Sequence, residues 1–127
     1  MIVVDTHTWL WWCDAPKRLS KRARTELERA TSIGVSTMSC WELTMLERRN
    51  RLRFDRGSAS WIRQALAGDR TVLLPVTVDV AIRAGALQAH IPDPADGLIY
   101  ATAVEHATTL VSRDSHLKEH DPERVIW

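Results

Sequence analysis

Short apolar runs alternate along this chain with stretches in which apolar residues recur at helical spacing. Ile2-Val3-Val4 is a β-branched run ended by Asp5, which predicts a buried strand over residues 1–4. Residues 6–13 read as a short helix, and Asp14-Ala15-Pro16 as a turn. Ser20 caps a second helix running to residue 30, and Ile33 to Ser36 forms the next strand. Ser39-Cys40-Trp41-Glu42 has the capping-box pattern, with Leu43, Leu46 and Glu47 in helical phase after it, so a helix is expected to start there and run to about Arg49. A polar connection over residues 51–58 contains Gly57 and leads to a helix over 59–66 that ends at Gly68. Residues 72–74 are a strand candidate. From Thr77, Val78, Ala81, Ile82 and Gly85 repeat at i, i+3, i+4 and i+7, the apolar stripe of a helix ending near His90. Asp93 is suited to cap the next helix and Pro94 to its first position, with Ala95, Leu98, Ile99, Thr102 and Ala103 on one face. A strand over 109–112, a short helix over 114–119 and an extended end over 125–127 complete the series. Strands alternating with helices predict an α/β fold, with a mainly parallel sheet of four to five strands covered on both faces.

A length of 127 residues fits one domain, 1–127, and 45% hydrophobic with 26% charged residues places the chain among globular proteins. The net charge of +1 gives no overall field toward nucleic acid or an anionic membrane, so any such affinity is local. The longest apolar runs, 2–4 and 9–13, fall far short of the roughly 20 residues of a membrane span. No secretory pattern opens the chain, and Cys13 and Cys40 lack the spacing of a zinc site or a disulfide framework, so the expected location is the cytoplasm. Trp9, Trp11 and Trp12 cannot all turn to one core when helical neighbours lie about 100° apart, which directs at least one indole outward or toward a partner.

In open α/β sheets, sites form beyond the carboxyl ends of strands. Asp5 follows the first strand, Glu42 opens the helix after the second, Asp96 lies in the first turn of the Pro94 helix and Asp114 follows the strand ending at Ser112. Four carboxylates brought together repel one another unless some take up protons or a cation neutralises them. Magnesium or manganese is the fitting cation, and such ions lower the pKa of water for phosphodiester hydrolysis. All but one of these acids also have a plainer reading: Glu42 completes the capping box with Ser39, Asp96 like Asp93 satisfies amides at a helix start, and Asp114 caps the last helix. Asp5 alone has no capping pattern that demands it.

The segments Ile2-Val3-Val4-Asp5-Thr6-His7, Ser39-Cys40-Trp41-Glu42-Leu43, Asp93-Pro94-Ala95-Asp96 with Leu98-Ile99-Tyr100-Ala101-Thr102-Ala103, and Leu110-Val111-Ser112-Arg113-Asp114 together resemble the PIN-domain ribonucleases. Among these the chain is most similar to the VapC toxins of bacterial type II toxin–antitoxin modules. The resemblance runs the whole length and implies a three-layer α/β/α fold. It further implies that Asp5, Glu42, Asp96 and Asp114 bind magnesium or manganese and cleave RNA, with tRNA or ribosomal RNA as the substrate class. Thr6 and Ser112 match polar positions that support the metal site, and Asp93 is the runner-up for the third acid. The partners it implies are a VapB-like antitoxin, seated in a groove that Trp9, Trp11 and Trp12 line, and a second copy of the chain as a homodimer. Two departures stand out: Gly97 replaces an arginine common in the family, and His116 stands where some members carry another acid.

Basic residues cluster at 17–29 and 48–56, where arginines flanking the acidic pocket would position an RNA backbone. The remaining tryptophans, Trp41, Trp61 and Trp127, read as core or dimer contacts, and the histidines at 7, 90, 106, 116 and 120 as carrying no metal-ligating or triad-like arrangement. A haloacid-dehalogenase-type phosphatase would need a second aspartate where His7 stands, and a receiver domain an acidic pair at the first strand. The alternative of a different class is a catalytically weak PIN-like module acting by RNA or protein binding.

Overall fold

The computed structural model describes residues 1–127. Its elements are β1 (Ile2–Val4), α1 (Thr6–Asp14), a 3-10 turn (Pro16–Arg18), α2 (Lys21–Arg29), β2 (Ile33–Ser36), α3 (Thr37–Arg48), α4 (Ser58–Leu66), β3 (Thr71–Leu74), α5 (Val78–Ala86), α6 (Pro94–Glu105), β4 (Leu110–Val111), α7 (Ser115–His120) and β5 (Val125–Ile126). The five strands lie in the order β3-β2-β1-β4-β5, and every neighbouring pair is parallel. β1 is central because it is apolar on both faces and pairs on both edges, Val4 lying opposite Val35 and Val111.

Alternation along the strands divides the interior in two. Ile2, Val4, Ile33, Val35, Val111 and Ile126 point to one face, where Trp9, Trp11, Ala23 and Leu27 of α1 and α2 and Leu43 of α3 cover them. Val3, Leu110 and Val125 point to the other, against Ile99, Tyr100 and Ala103 of α6 and Leu117 of α7. The three-layer α/β/α expectation therefore holds. Gly34 is opposite Val3 on the second face, and a Cβ there would stand 2.7 Å from Leu74 Cδ1, so glycine lets β3 and β1 side chains close over β2. No helix is long and apolar enough to cross a membrane.

Several elements depart from the sequence reading. α3 starts at Thr37, not after a capping box at Ser39: β2 runs straight into the helix, and Ser36 Oγ accepts from Met38 N at 3.1 Å. Ser39 is inside α3 and buried, and Glu42 is in the second turn. α5 ends at Ala86, because Leu87 to His90 leave the helical ladder as turns. Its predicted core stripe faces outward: Val78 is 76% and Ile82 68% exposed, while Val80 and Ala84 are the buried pair. Trp41 is likewise 56% exposed and is no core residue.

Candidate active site

The two chain reversals that flank β1 make the site. The helices after β1 and β4 leave the sheet toward opposite faces, which opens a crevice at the carboxyl ends of these neighbouring strands. Asp5 and Asp114 sit there, and each is the N-cap of the helix that follows. Asp5 Oδ1 accepts from Thr8 N at 2.9 Å, and Ser112 Oγ donates to Asp5 Oδ2 across the β1/β4 boundary. Asp5 thus has a capping role after all, with both oxygens engaged. Asp114 Oδ1 accepts from Leu117 N at 2.9 Å, and Ser112 Oγ accepts from Asp114 N at 3.1 Å, so one serine ties the two acids together. Asp93 Oδ1 caps α6 through Ala95 N at 3.0 Å and brings Asp96, in the first turn, to the same crevice. Three helix N-termini converge here, and their partial positive charge favours carboxylates. Glu42 arrives from α3, which is linked to α1 by the 3.0 Å bond that Thr6 Oγ1 donates to Ser39 Oγ.

The result is a cleft of about 660 Å³ in which Asp5, Glu42, Asp93, Asp96 and Asp114 all line the wall. All four predicted acids are brought together, and Thr6 and Ser112 lie beneath them. As the side chains stand, no three acidic, histidine or cysteine groups are gathered closely enough to hold an ion between them. The gathered charge nonetheless has a cost. Burial pushes the Asp96 carboxyl up to about 8, with the Asp93, Asp114, Asp5 and Glu42 charges adding to the shift. Burial also raises Glu42, with the nearby Thr6 hydroxyl lowering it and the Asp93 charge adding to the rise. Asp5 is raised by burial against the lowering effect of its Ser112 and Thr8 hydrogen bonds. Such a donor set suits a hard, oxygen-liganded cation.

Cations rim the same cleft. Arg18 and Arg113 line it, yet neither forms an ion pair with any of the acids. Arg18 instead lies over the Trp11 ring, 4.8 Å from its centroid. Arg113 carried no separate signal in the sequence; its place between Ser112 and Asp114, at a strand end, is the feature that locates it. His116 reaches the rim, its Nδ1 3.9 Å from Asp114 Oδ1. It also stands four residues from His120 on α7, a metal-ligand spacing that the sequence reading passed over. The tryptophan cluster divides: Trp9 is 1% exposed and belongs to the core, Trp11 forms part of the cleft wall, and Trp12 is half-buried beside Arg70. Trp9 is therefore unavailable to line a surface groove.

Known proteins share both sequence and fold with this chain. The model of the PIN domain matches residues 2–122. Ribonuclease VapC22 of Mycobacterium tuberculosis (strain ATCC 25618 / H37Rv) is 38% identical over 129 residues, covering 99% of this chain and 98% of that protein. A toxin-antitoxin complex from Klebsiella pneumoniae contains a chain that superposes with a TM-score of 0.70 at 19% identity, covering 100% of this chain and 97% of that one. VapBC2 from Rickettsia felis, bound to a DNA fragment from its promoter, gives a TM-score of 0.70 at 16% identity, covering 99% and 98%. By the near-complete family match and the full-length relative, this chain belongs to the PIN-domain family.

Proposed function

We propose that this chain, as one domain, is a metal-dependent endoribonuclease that hydrolyses RNA phosphodiester bonds and serves as the toxin of a VapBC-type toxin–antitoxin module. The convergence of Asp5, Glu42, Asp96 and Asp114 from four separate elements into one cleft carries this reading. Family membership and the ribonuclease relative support it. The four carboxylates would hold magnesium or manganese, which supplies the missing positive charge and lowers the pKa of water for attack on phosphorus. Ser112 and Thr8 N fix the Asp5 carboxylate, and Thr6 steadies α3 and with it Glu42. Asp93 acts through its cap, setting where α6 presents Asp96. Arg18 and Arg113, free of acidic partners, are placed to grip phosphates on either side of the scissile one. tRNA or ribosomal RNA is the substrate class.

A VapB-like antitoxin is the regulatory partner, and Trp11 and Trp12 are the aromatic residues of α1 left to meet it. The likeness to chains of toxin–antitoxin complexes favours this partnership. RNA as substrate and the two free thiols, Cys13 and Cys40, suit a cytoplasmic setting. The exposed Val78 and Ile82 on α5 give a second copy of the chain a surface to pair with.

The test is cleavage of a mixed tRNA and ribosomal RNA pool by purified full-length protein, with magnesium or manganese against a chelator, beside Asp5→Asn. Cutting is expected only with the ion, and at a rate at least about a hundredfold lower in the variant. Folded wild-type protein that binds RNA but cuts nothing with either ion would instead support a binding module.

A further inference from the structure

A second cavity, of about 560 Å³, opens beside the acidic cleft. The two share their supports. On α1, Trp11 lines the cleft and Asp14 the cavity; in the segment joining α3 to α4, Leu52 lines the cleft and Arg53 the cavity. The cavity is held open by fixed structure. Gly57, at φ 83° and ψ 156°, turns the segment in a conformation that is essentially glycine's alone. Immediately after it, Ser58 donates through both N and Oγ to the Glu47 carboxylate, at 3.0 and 2.6 Å, fastening α4 to α3. Trp61 Nε1 donates to Asp14 Oδ2 at 2.8 Å, while its ring packs against Trp9 at 5.0 Å and Phe54 at 5.6 Å. The aromatic wall is thus in place before any ligand arrives.

Only Phe54 and Trp61 among the nine lining residues are apolar. An amphipathic peptide helix needs an apolar groove, and this wall does not offer one. Arg53 and Arg56 line it without forming an ion pair, Gln64 adds an amide, and the wall also carries Asp55 and Asp14, the latter engaged by the Trp61 N–H. Cations beside aromatic rings and an amide suit a nucleotide: phosphate for the guanidiniums, a base face for the rings, a base edge for the amide.

We propose that this cavity is a nucleotide-binding subsite, taking one unstacked nucleotide of the RNA strand whose neighbouring phosphodiester lies over the acids. The inference rests on the ribonuclease reading and adds selectivity to it. Carboxylates and a cation accept any phosphodiester, whereas a cavity that holds a base fixes which bond is presented.

The test uses the full chain, isotopically labelled and free of divalent ions, titrated with each of the four nucleoside 5′-monophosphates. The Trp61 indole N–H and the backbone amides of residues 53–57 are followed by nuclear magnetic resonance, with the outward Trp41 indole as reference. Wild type and R53A/R56A are then compared on the tRNA and ribosomal RNA pool. At least one nucleotide is expected to move the Trp61 and segment signals while Trp41 stays still. The double variant is expected to weaken that binding about tenfold, raise the KM for RNA and change which sites are cut. If no nucleotide moves these signals and R53A/R56A cuts the same sites with the same KM, the subsite is overturned and the ribonuclease reading stands. If nucleotides move them in a protein that cuts no RNA with either ion, the nucleotide site stands and the ribonuclease reading fails. Signals that respond only to a polypeptide partner would make the cavity a protein-docking surface, and the proposal falls.

Discussion

Asp96 concentrates the electrostatic tension of this molecule. Its carboxyl titrates near 8 in the folded chain against 3.8 for the free group, chiefly through burial and then through four neighbouring carboxylates. Between these values the native state holds a proton that the unfolded state has released. The contribution of Asp96 to stability is therefore fully present below 3.8, falls as pH rises and is gone above about 8. Asp96→Asn keeps the shape but has no proton to lose. In chelator, the Tm of the variant is expected to match wild type near pH 4 and to exceed it at pH 8 by about 3 °C or more, equivalent to about 1 kcal/mol. Magnesium should close that gap by stabilising wild type more than the variant. Thermal melts from pH 4 to 9, with and without the ion, measure both effects, and parallel curves in chelator would show that the cleft carries no such strain. The acids themselves were legible in the sequence because Asp5, Asp96 and Asp114 stand where strands end or helices begin. Glu42 was expected to open its helix but stands in the second turn of α3, and Ser39, its capping partner in the plainer reading, is bonded instead to Thr6 from another helix.

At the scale of elements, α6 shows how a departure from the family pattern becomes packing. The helix is buried nearly all round, with α5 against one side, and Gly97 forms their contact: a Cβ there would lie 3.8 Å from Ala84 O and 3.9 Å from Ala84 Cβ. Those are ordinary contact distances, so Gly97→Ala fits and gains up to about 1 kcal/mol of helix propensity. The arginine common at this position would extend into Ala84 and push α5 away, and Gly97→Arg is expected to destabilise by about 2 kcal/mol or more. Urea unfolding of the two variants reads the opposite signs directly; an arginine variant as stable as wild type would mean that α5 shifts without cost. The start of α6 was plain from Asp93-Pro94, whose cap and fixed φ act locally. The start of α3 was not. Ser-x-x-Glu fits a capping box at Ser39 equally well, and only the sheet, which carries β2 through Ser36 with no loop, decides for Thr37.

For the molecule as a whole, alternation of strands and helices was enough to predict the layered fold, because a parallel sheet must be covered on both faces. It could not say which side of a peripheral helix faces inward. On α5 the longer apolar stripe, Val78, Ala81, Ile82 and Gly85, is turned to solvent, while the shorter Val80–Ala84 pair contacts α6. Close packing on Gly97 favours the small Ala84 over larger residues, and the larger ones are left outside. The edge strand β3 adds exposed Val72 and Leu73. An edge strand and an apolar helix face left bare on one molecule are a liability unless covered, and a self-complementary pairing of two such faces covers both at once. With a net charge of only +1, long-range repulsion does little to oppose it. Light scattering on the isolated full chain is therefore expected to give the mass of a dimer, and Val78→Lys with Ile82→Lys that of a monomer with unchanged circular dichroism. A wild type that stays monomeric across the accessible concentration range would show that this face does not pair with a second copy.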